Sequence, residues 1–247
     1  MQRDFGAVME RMRRLRARLS RVDSAQRFTK LGVDVFIGNG QFTGPDTVEV
    51  DGIALRFSRA AICTGTRAAA PPIPGLKESG YLTNETIFSL TDLPARLVVI
   101  GAGPIGCEMA QTFSRFGAKV TVIEELDHIL PREDREASNI VQASMKTDGV
   151  TFVFNATITE VVRQKHEVLL RYTAKDVAQE LIVDEVFVSV GRTPNVTGLG
   201  LEAAGVTYDN TGVRVSNTLQ TSNPRIYAAG DVCFPFKITH TADALAQ

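Results

Sequence analysis

Cysteine is scarce in this sequence. The 247 residues hold three, Cys63, Cys107 and Cys233, far apart and without C-x-x-C spacing, so neither a disulfide framework nor a zinc site is indicated. Excess charge of either sign is also missing. A formal net charge of −1 argues against a global role in nucleic-acid binding. No apolar run approaches the roughly 20 residues that a membrane span needs. The N-terminus lacks the basic region, apolar core and small-residue cleavage site of a secretory signal, so the expected compartment is the reducing cytoplasm. What is present is 44% hydrophobic and 22% charged, enough to bury a core in one large domain or two ordinary ones.

The spacing of Phe5, Val8, Met9, Met12, Leu15, Leu19 and Val22 predicts an amphipathic helix over residues 4–22. Arg3, Arg11, Arg13, Arg14, Arg16, Arg18 and Arg21 lie between them. Such a helix can meet an anionic membrane or a partner. Asp4, Glu10 and Asp23 interrupt the charge, which favours a solvated helix packed by one stripe. From Gly32 the period shortens: "VDVFIG", "GQFTG", "TVEVDG", "IALRFS" and "AAICTG" predict a β-meander leading into a buried strand. "AAAPPIPGL" is an extended connector. Strand 97–100, helix 104–116, strand 119–123, helix 132–146 and strand 151–154 then follow as β-α-β-α-β, the pattern of a parallel sheet. A second meander occupies 157–183, "VDEVFVSVG" adds a buried strand, and "NPRIYAAGDV" is a strand ending in Gly-Asp.

Within "VVIGAGPIGCE" three glycines are spaced G-x-G-x-x-G between a strand and a helix. In that context Gly101 permits a tight turn and Gly103 lets the backbone approach a pyrophosphate. Gly106 lets helix and strand pack closely. The helix, with Ile105, Met109 and Phe113 as its expected inner face, offers its N-terminus to phosphates. An acid belongs about 20 residues on, to bind ribose hydroxyls. Glu124 stands at the end of the next strand. A 2′-phosphate beside Glu124 and Glu125 would meet repulsion of ~4 kcal/mol per close pair at an effective dielectric near 20. The nearest arginine after the strand is Arg132, so NAD(H) is favoured over NADP(H).

Four ordered stretches carry a family likeness. "AICTGTRAAAPPIPG", "VVIGAGPIGCEMAQTFSRFGAKVTVIE", "VSVGRTPN" and "TSNPRIYAAGDV" resemble motifs of the flavin-dependent pyridine nucleotide–disulfide oxidoreductases, the family of dihydrolipoamide dehydrogenase, glutathione reductase and mercuric reductase. "LDHILPRED" and "FKITHTADA" lean toward the mercuric-reductase-like branch. The resemblance implies an α/β fold in which a Rossmann-type NAD domain with a β-meander crossover is inserted in an FAD-binding domain. On this chain residues 1–93 would be a partial FAD domain, 94–215 the NAD domain and 216–247 the return to the FAD domain.

The resemblance also implies residue roles. Gly101, Gly103, Pro104, Ile105, Gly106, Glu124, Glu125 and Gly191 would border the dinucleotide. Thr64, Gly65, Gly230 and Asp231 would border FAD, with Asp231 on the ribityl chain. Glu108 maps to a catalytic position beside the flavin and nicotinamide rings, where the family pairs a glutamate with a lysine of the redox helix. That lysine's segment has no counterpart here, so Glu108 would be protonated, hydrated or turned outward. Pro104 stands where several relatives carry a residue covering the nicotinamide. Nothing before Phe28 resembles the family's flavin glycine loop or its C-x-x-x-x-C pair, and no C-terminal dimerisation domain is seen, although the family forms homodimers. Cys63 is expected in a strand. Cys107 opens a helix whose dipole would lower a thiol pKa, though an incidental small side chain is the simpler reading. His128 and His166 read as surface residues, and His240 is unassigned.

The expected activity is hydride transfer from NADH to FAD and on to a disulfide or metal substrate, with the chain as given an incomplete piece. The alternatives are a non-catalytic NAD-binding module and, last, an interaction protein using the arginine-rich helix. The expected partners are dinucleotide cofactors, with no metal site, nucleic acid or membrane.

Overall fold

The computed structural model describes residues 4–245. The chain opens with helices α1 (Phe5–Leu19) and α2 (Ala25–Lys30), then strands β1 (Gly40–Gly44), β2 (Thr47–Val50), β3 (Ile53–Arg56), β4 (Ala60–Ile62) and β5 (Thr66–Ala68). Next come β6 (Arg96–Ile100), α3 (Pro104–Phe116), β7 (Lys119–Ile123), α4 (Arg135–Thr147) and β8 (Thr151–Val153). A meander follows as β9 (Ala156–Gln164), β10 (Glu167–Ala174) and β11 (Val177–Val183), then β12 (Glu185–Val188) and β13 (Arg192–Pro194). The remainder is β14 (Tyr208–Asp209), β15 (Gly212–Val213), β16 (Ile226–Ala228) and α5 (Thr239–Leu245).

These elements form two compact units. One takes the chain through Ser20 together with Ala68–Gly191, the other takes Arg21–Arg67 with the chain from Arg192 onward. The chain passes from one unit to the other after Ser20, Arg67 and Gly191. Helix α1 belongs to the first unit because Phe5 and Met9 are buried there, the Phe5 ring 5.7 Å from Phe113 and 5.5 Å from Phe116.

The first unit is layered on a parallel sheet ordered β12-β6-β7-β8. Side chains alternate across a strand, so a sheet covered on both faces needs an almost unbroken apolar run. Strand β6 has that run. Leu97 and Val99 enter a core with Phe5, Ala110, Phe113, Val122 and Met145, while Val98 and Ile100 enter a second core with Val161, Leu170 and Val186. Helices thus cover one face and the β9–β11 meander the other. The fold class read from the sequence is borne out by this α/β arrangement.

Several expected bounds moved for local reasons. Helix α1 stops at Leu19, and Leu15, Leu19 and Val22 are exposed, so its buried stripe is shorter than the spacing suggested. Arg3 lies outside the described residues. Helix α4 starts at Arg135 rather than 132 because the Asp134 carboxylate accepts from the N–H groups of Glu136 and Ala137 as an N-cap. The run 33–37 forms no strand, and Val33, Val35, Phe36 and Ile37 are exposed with no described strand pairing them. Cys63 lies just beyond β4 rather than within a strand.

In the second unit β1-β2-β3 is an antiparallel meander, and β4 pairs in parallel with β16. Phe42, Ile62, Leu201, Ile226, Ala228 and Val232 form its core. That pairing sets Ala228 beside Ile62 and carries the Gly230-Asp231 turn past the end of β4.

Candidate functional site

In the first unit the glycine loop joins the buried end of β6 to α3. Gly101 has φ +96°, a left-handed conformation that favours glycine. A Cβ there would lie 2.8 Å from the Ser189 carbonyl oxygen. At Gly106 a Cβ would lie 2.1 Å from the Gly101 carbonyl oxygen and 2.5 Å from Ser189 Oγ. Ser189 Oγ donates to the Gly101 carbonyl at 3.0 Å, closing the seam between β12 and the loop. These two glycines are required by the protein's own packing.

Gly103 is different. Its φ is −71°, open to any residue, and a Cβ would have nothing within 4 Å. Neither the backbone nor the packing asks for glycine there. Space is kept in front of the loop, which is what close approach of a ligand requires. The N–H groups of Gly103, Ile105 and Gly106 have no acceptor among the described residues, and α3 has no side-chain N-cap. Together with the helix dipole, these groups suit an anion. Pro104 occupies the first turn and is exposed.

Glu124 follows β7, its backbone N–H donating to the Val153 carbonyl at 2.9 Å. Its Oε2 accepts from the Ala102 N–H at 2.6 Å, and its Oε1 from the Leu126 N–H at 3.1 Å. An ionised carboxylate offers about four lone-pair sites, so sites remain for two ribose hydroxyls. The segment after it folds back on the loop. Ile129 is buried, and the Leu130 N–H donates to the Ala102 carbonyl at 2.8 Å, holding Leu130 at φ +50°. Glu125 is exposed, as is Asp127. The Arg135 guanidinium, then His128, bond Asp127 and hold its carboxyl down at about 2. His128 is less exposed than expected, its ring 19% accessible with Nδ1 at 2.6 Å from Asp127. His166 and His240 are exposed.

The buried face of α3 is Gly106, Cys107, Ala110 and Phe113, with Ile105 and Met109 only half-buried. Phe113 is thus buried as expected, while Ile105 and Met109 pack at the edge of the same core and Gly106, Cys107 and Ala110 form its centre. Glu108 is exposed and turned outward, the third of the three states left open for it. Cys107 departs from the dipole argument altogether. Burial pushes its thiol up to about 12, helped by the charges of Glu124 and Glu108. Its Sγ donates to the Ala102 carbonyl at 3.3 Å. It is a packing residue, because desolvation outweighs the helix terminus.

In the second unit "CTGTR" and "RTPN" clasp each other. Thr64 Oγ1 donates to the Asn195 carbonyl at 2.8 Å, and Asn195 Nδ2 returns a bond to the Thr64 carbonyl at 2.9 Å. Gly65, at φ +63°, accepts at its carbonyl from the Asn195 N–H at 2.9 Å. Thr66 Oγ1 donates to Asp231 Oδ2 at 2.8 Å, and Arg192 reaches both Thr66 and Asp231. Gly230, at φ +78°, turns the chain so that Asp231 faces this cluster. Gly191, the last residue of the first unit, has φ +125°. The sequence singled out Asp231, Thr64, Gly65 and Gly230 but passed over Thr66, Arg192 and Asn195. All three stand inside the quoted motifs, and their signal is a density of donors that spacing rules do not weigh. Ser189 was missed for the same reason.

The family model for pyridine nucleotide-disulphide oxidoreductases matches residues 7–247. A mercuric reductase of Lysinibacillus sphaericus is 38% identical over 81% of this chain and 37% of its own length. A dihydrolipoyl dehydrogenase of Acholeplasma laidlawii is 34% identical over 87% of this chain and 63% of its own. The solved structure of the HOCl-induced flavoprotein disulfide reductase RclA from Escherichia coli superposes with a TM-score of 0.89 at 27% identity. That superposition covers 99% of this chain and 56% of RclA. The chain thus spans between about a third and two thirds of the length of these relatives. With a family model matched over nearly its full length, this chain belongs to the pyridine nucleotide-disulphide oxidoreductases.

Proposed function

We propose that the first unit is a dinucleotide-binding domain that takes NADH in preference to NADPH, and that the second holds part of a flavin site. The observation that carries this is Gly103, a glycine with no internal reason to be one, facing open space at an uncapped helix N-terminus. The N–H groups of Gly103, Ile105 and Gly106 would hold the pyrophosphate, and Glu124 the adenosine ribose. Two backbone donors fix the Glu124 carboxylate in place. It cannot swing aside for a 2′-phosphate, and Glu125 adds like charge.

The protein to which these residues belong would pass hydride from NADH to FAD and on to a disulfide or metal substrate; a mercuric reductase and a flavoprotein disulfide reductase among its relatives support the flavin and the two substrate classes. When bound, FAD supplies the two-electron acceptor. The protein's part is to bind and orient. Asp231 would accept from a hydroxyl of the flavin's ribityl chain, with Thr64, Gly65 and Gly230 beside it. Glu108, exposed on the first turns of α3, would border the nicotinamide end. Titration of the purified chain with NADH, and its flavin absorbance with added FAD, tests both halves.

A second reading is a module that binds NADH and catalyses nothing. It is favoured by one fact, that the 247 residues contain a single G-x-G-x-x-G and no C-x-x-x-x-C. NADH binding without any flavin uptake would select it.

A further inference from the structure

Three motifs far apart in the sequence meet on one carboxylate. Thr66 Oγ1 donates to Asp231 Oδ2 at 2.8 Å. Arg192 donates from Nε to Thr66 Oγ1 at 2.6 Å and from Nη2 to the Thr66 carbonyl at 2.9 Å. Arg192 Nε stands 3.6 Å from Asp231 Oδ2, an ion-pair contact rather than a hydrogen bond. The Arg192 and Asp231 side chains are only 23% and 21% accessible. Asp231 Oδ1 has no hydrogen bond to any described residue.

The direction of these bonds matters. A threonine hydroxyl has one hydrogen to give and two lone pairs to receive. Arg192 fills a lone pair, so the hydroxyl hydrogen is free to point at Asp231, and the chain of bonds strengthens each member. The guanidinium is planar and grips Thr66 at two atoms, which an ammonium group cannot reproduce. One carboxylate oxygen is thereby held and the other left for a ligand.

We propose that Thr66 and Arg192 are positioning residues for Asp231: they engage Oδ2 and present Oδ1 to a hydroxyl of a polyol-bearing ligand, the ribityl chain of FAD. This rests on the reading of Asp231 as a flavin contact. It adds that flavin retention depends on the three-residue unit and not on the acid alone.

The test is FAD titration of the full chain by quenching of flavin fluorescence, with circular dichroism to verify folding of each variant. Asp231→Asn, Thr66→Val and Arg192→Gln are each expected to weaken FAD binding about tenfold, the scale of one charge-assisted hydrogen bond. Thr66→Ser keeps the hydroxyl and should stay within about twofold of the parent, while Arg192→Lys keeps only charge and should not rescue. In the Asp231→Asn background, Thr66→Val should add less than about twofold, because residues acting through one another are not additive. If Asp231→Asn weakens binding but Thr66→Val and Arg192→Gln do not, or if their losses persist undiminished without Asp231, the positioning role is wrong and the flavin contact stands. If Asp231→Asn binds FAD like the parent, the flavin reading of Asp231 fails. A parent chain that takes up no FAD overturns both.

Discussion

Glu124 Oε2 and the Ala102 N–H are joined by a 2.6 Å hydrogen bond that ties the end of β7 to the middle of the glycine loop. A second bond, from the Leu126 N–H to Oε1, fixes the other oxygen. The acid that would select the nucleotide is therefore also a brace of the loop that would bind it. A single substitution there should therefore move both stability and binding.

Glu124→Gln offers one carbonyl oxygen where two backbone donors now find acceptors, so its NH2 group faces an N–H. Loss of one charge-assisted bond should cost about 1.5–3 kcal/mol of stability. It should weaken NADH about tenfold or more while NADPH changes less, narrowing the ratio between them. Calorimetry with both nucleotides and a thermal melt check the two effects.

Gly103 and Gly106 are expected to separate binding from folding. Gly103→Thr places a side chain in open space with a residue that caps helices about as well as glycine, so the melting temperature should hold within about 2 °C. NADH binding should nevertheless fall by more than about tenfold, since the bulk occupies the approach to the loop. Gly106→Ala drives a Cβ to 2.1 Å from the Gly101 carbonyl and should cost ~1–3 kcal/mol. At about 2–4 °C per kcal/mol for a chain of this size, that is a visible drop in melting temperature. Differential scanning fluorimetry beside a binding titration reads both.

The glycine loop was legible because its constraints are local. A left-handed turn, a close helix approach and an acid one strand later all leave residue types at fixed offsets, and α3 and β7 fall on the predicted residues. The run 33–37 misled for the opposite reason. Its composition suits a strand, but a strand exists only when another pairs with it, and pairing is not written in the run itself. Cys107 shows a third limit. Its place at a helix start is visible in the sequence, whereas the burial that governs its thiol comes from Val99, Phe113 and their neighbours folding around it. Thr66 and Arg192 stand 126 residues apart, and nothing in either motif announces the other.

The buried thiols should make stability fall at alkaline pH. An unfolded cysteine ionises near ~8.5, while Cys107 in the folded chain holds its proton up to about 12. Between those values the unfolded state releases a proton that the folded state keeps, so stability falls as pH rises through this window. Burial also raises the Cys233 thiol, which adds in the same direction. Cys107→Ala should flatten most of the decline in urea midpoints measured across the alkaline range. Iodoacetamide at mildly alkaline pH should label the exposed Cys63 and leave Cys107 unmodified, as read by peptide mass mapping.

Isothermal titration of the intact chain with NADH and, separately, NADPH bears most directly on the dinucleotide site. NADH is expected to bind at one site, at least about tenfold more tightly than NADPH, with Gly103→Thr abolishing the heat. A folded chain that binds neither nucleotide, or binds NADPH as well as NADH, would contradict the assignment of this loop and of Glu124.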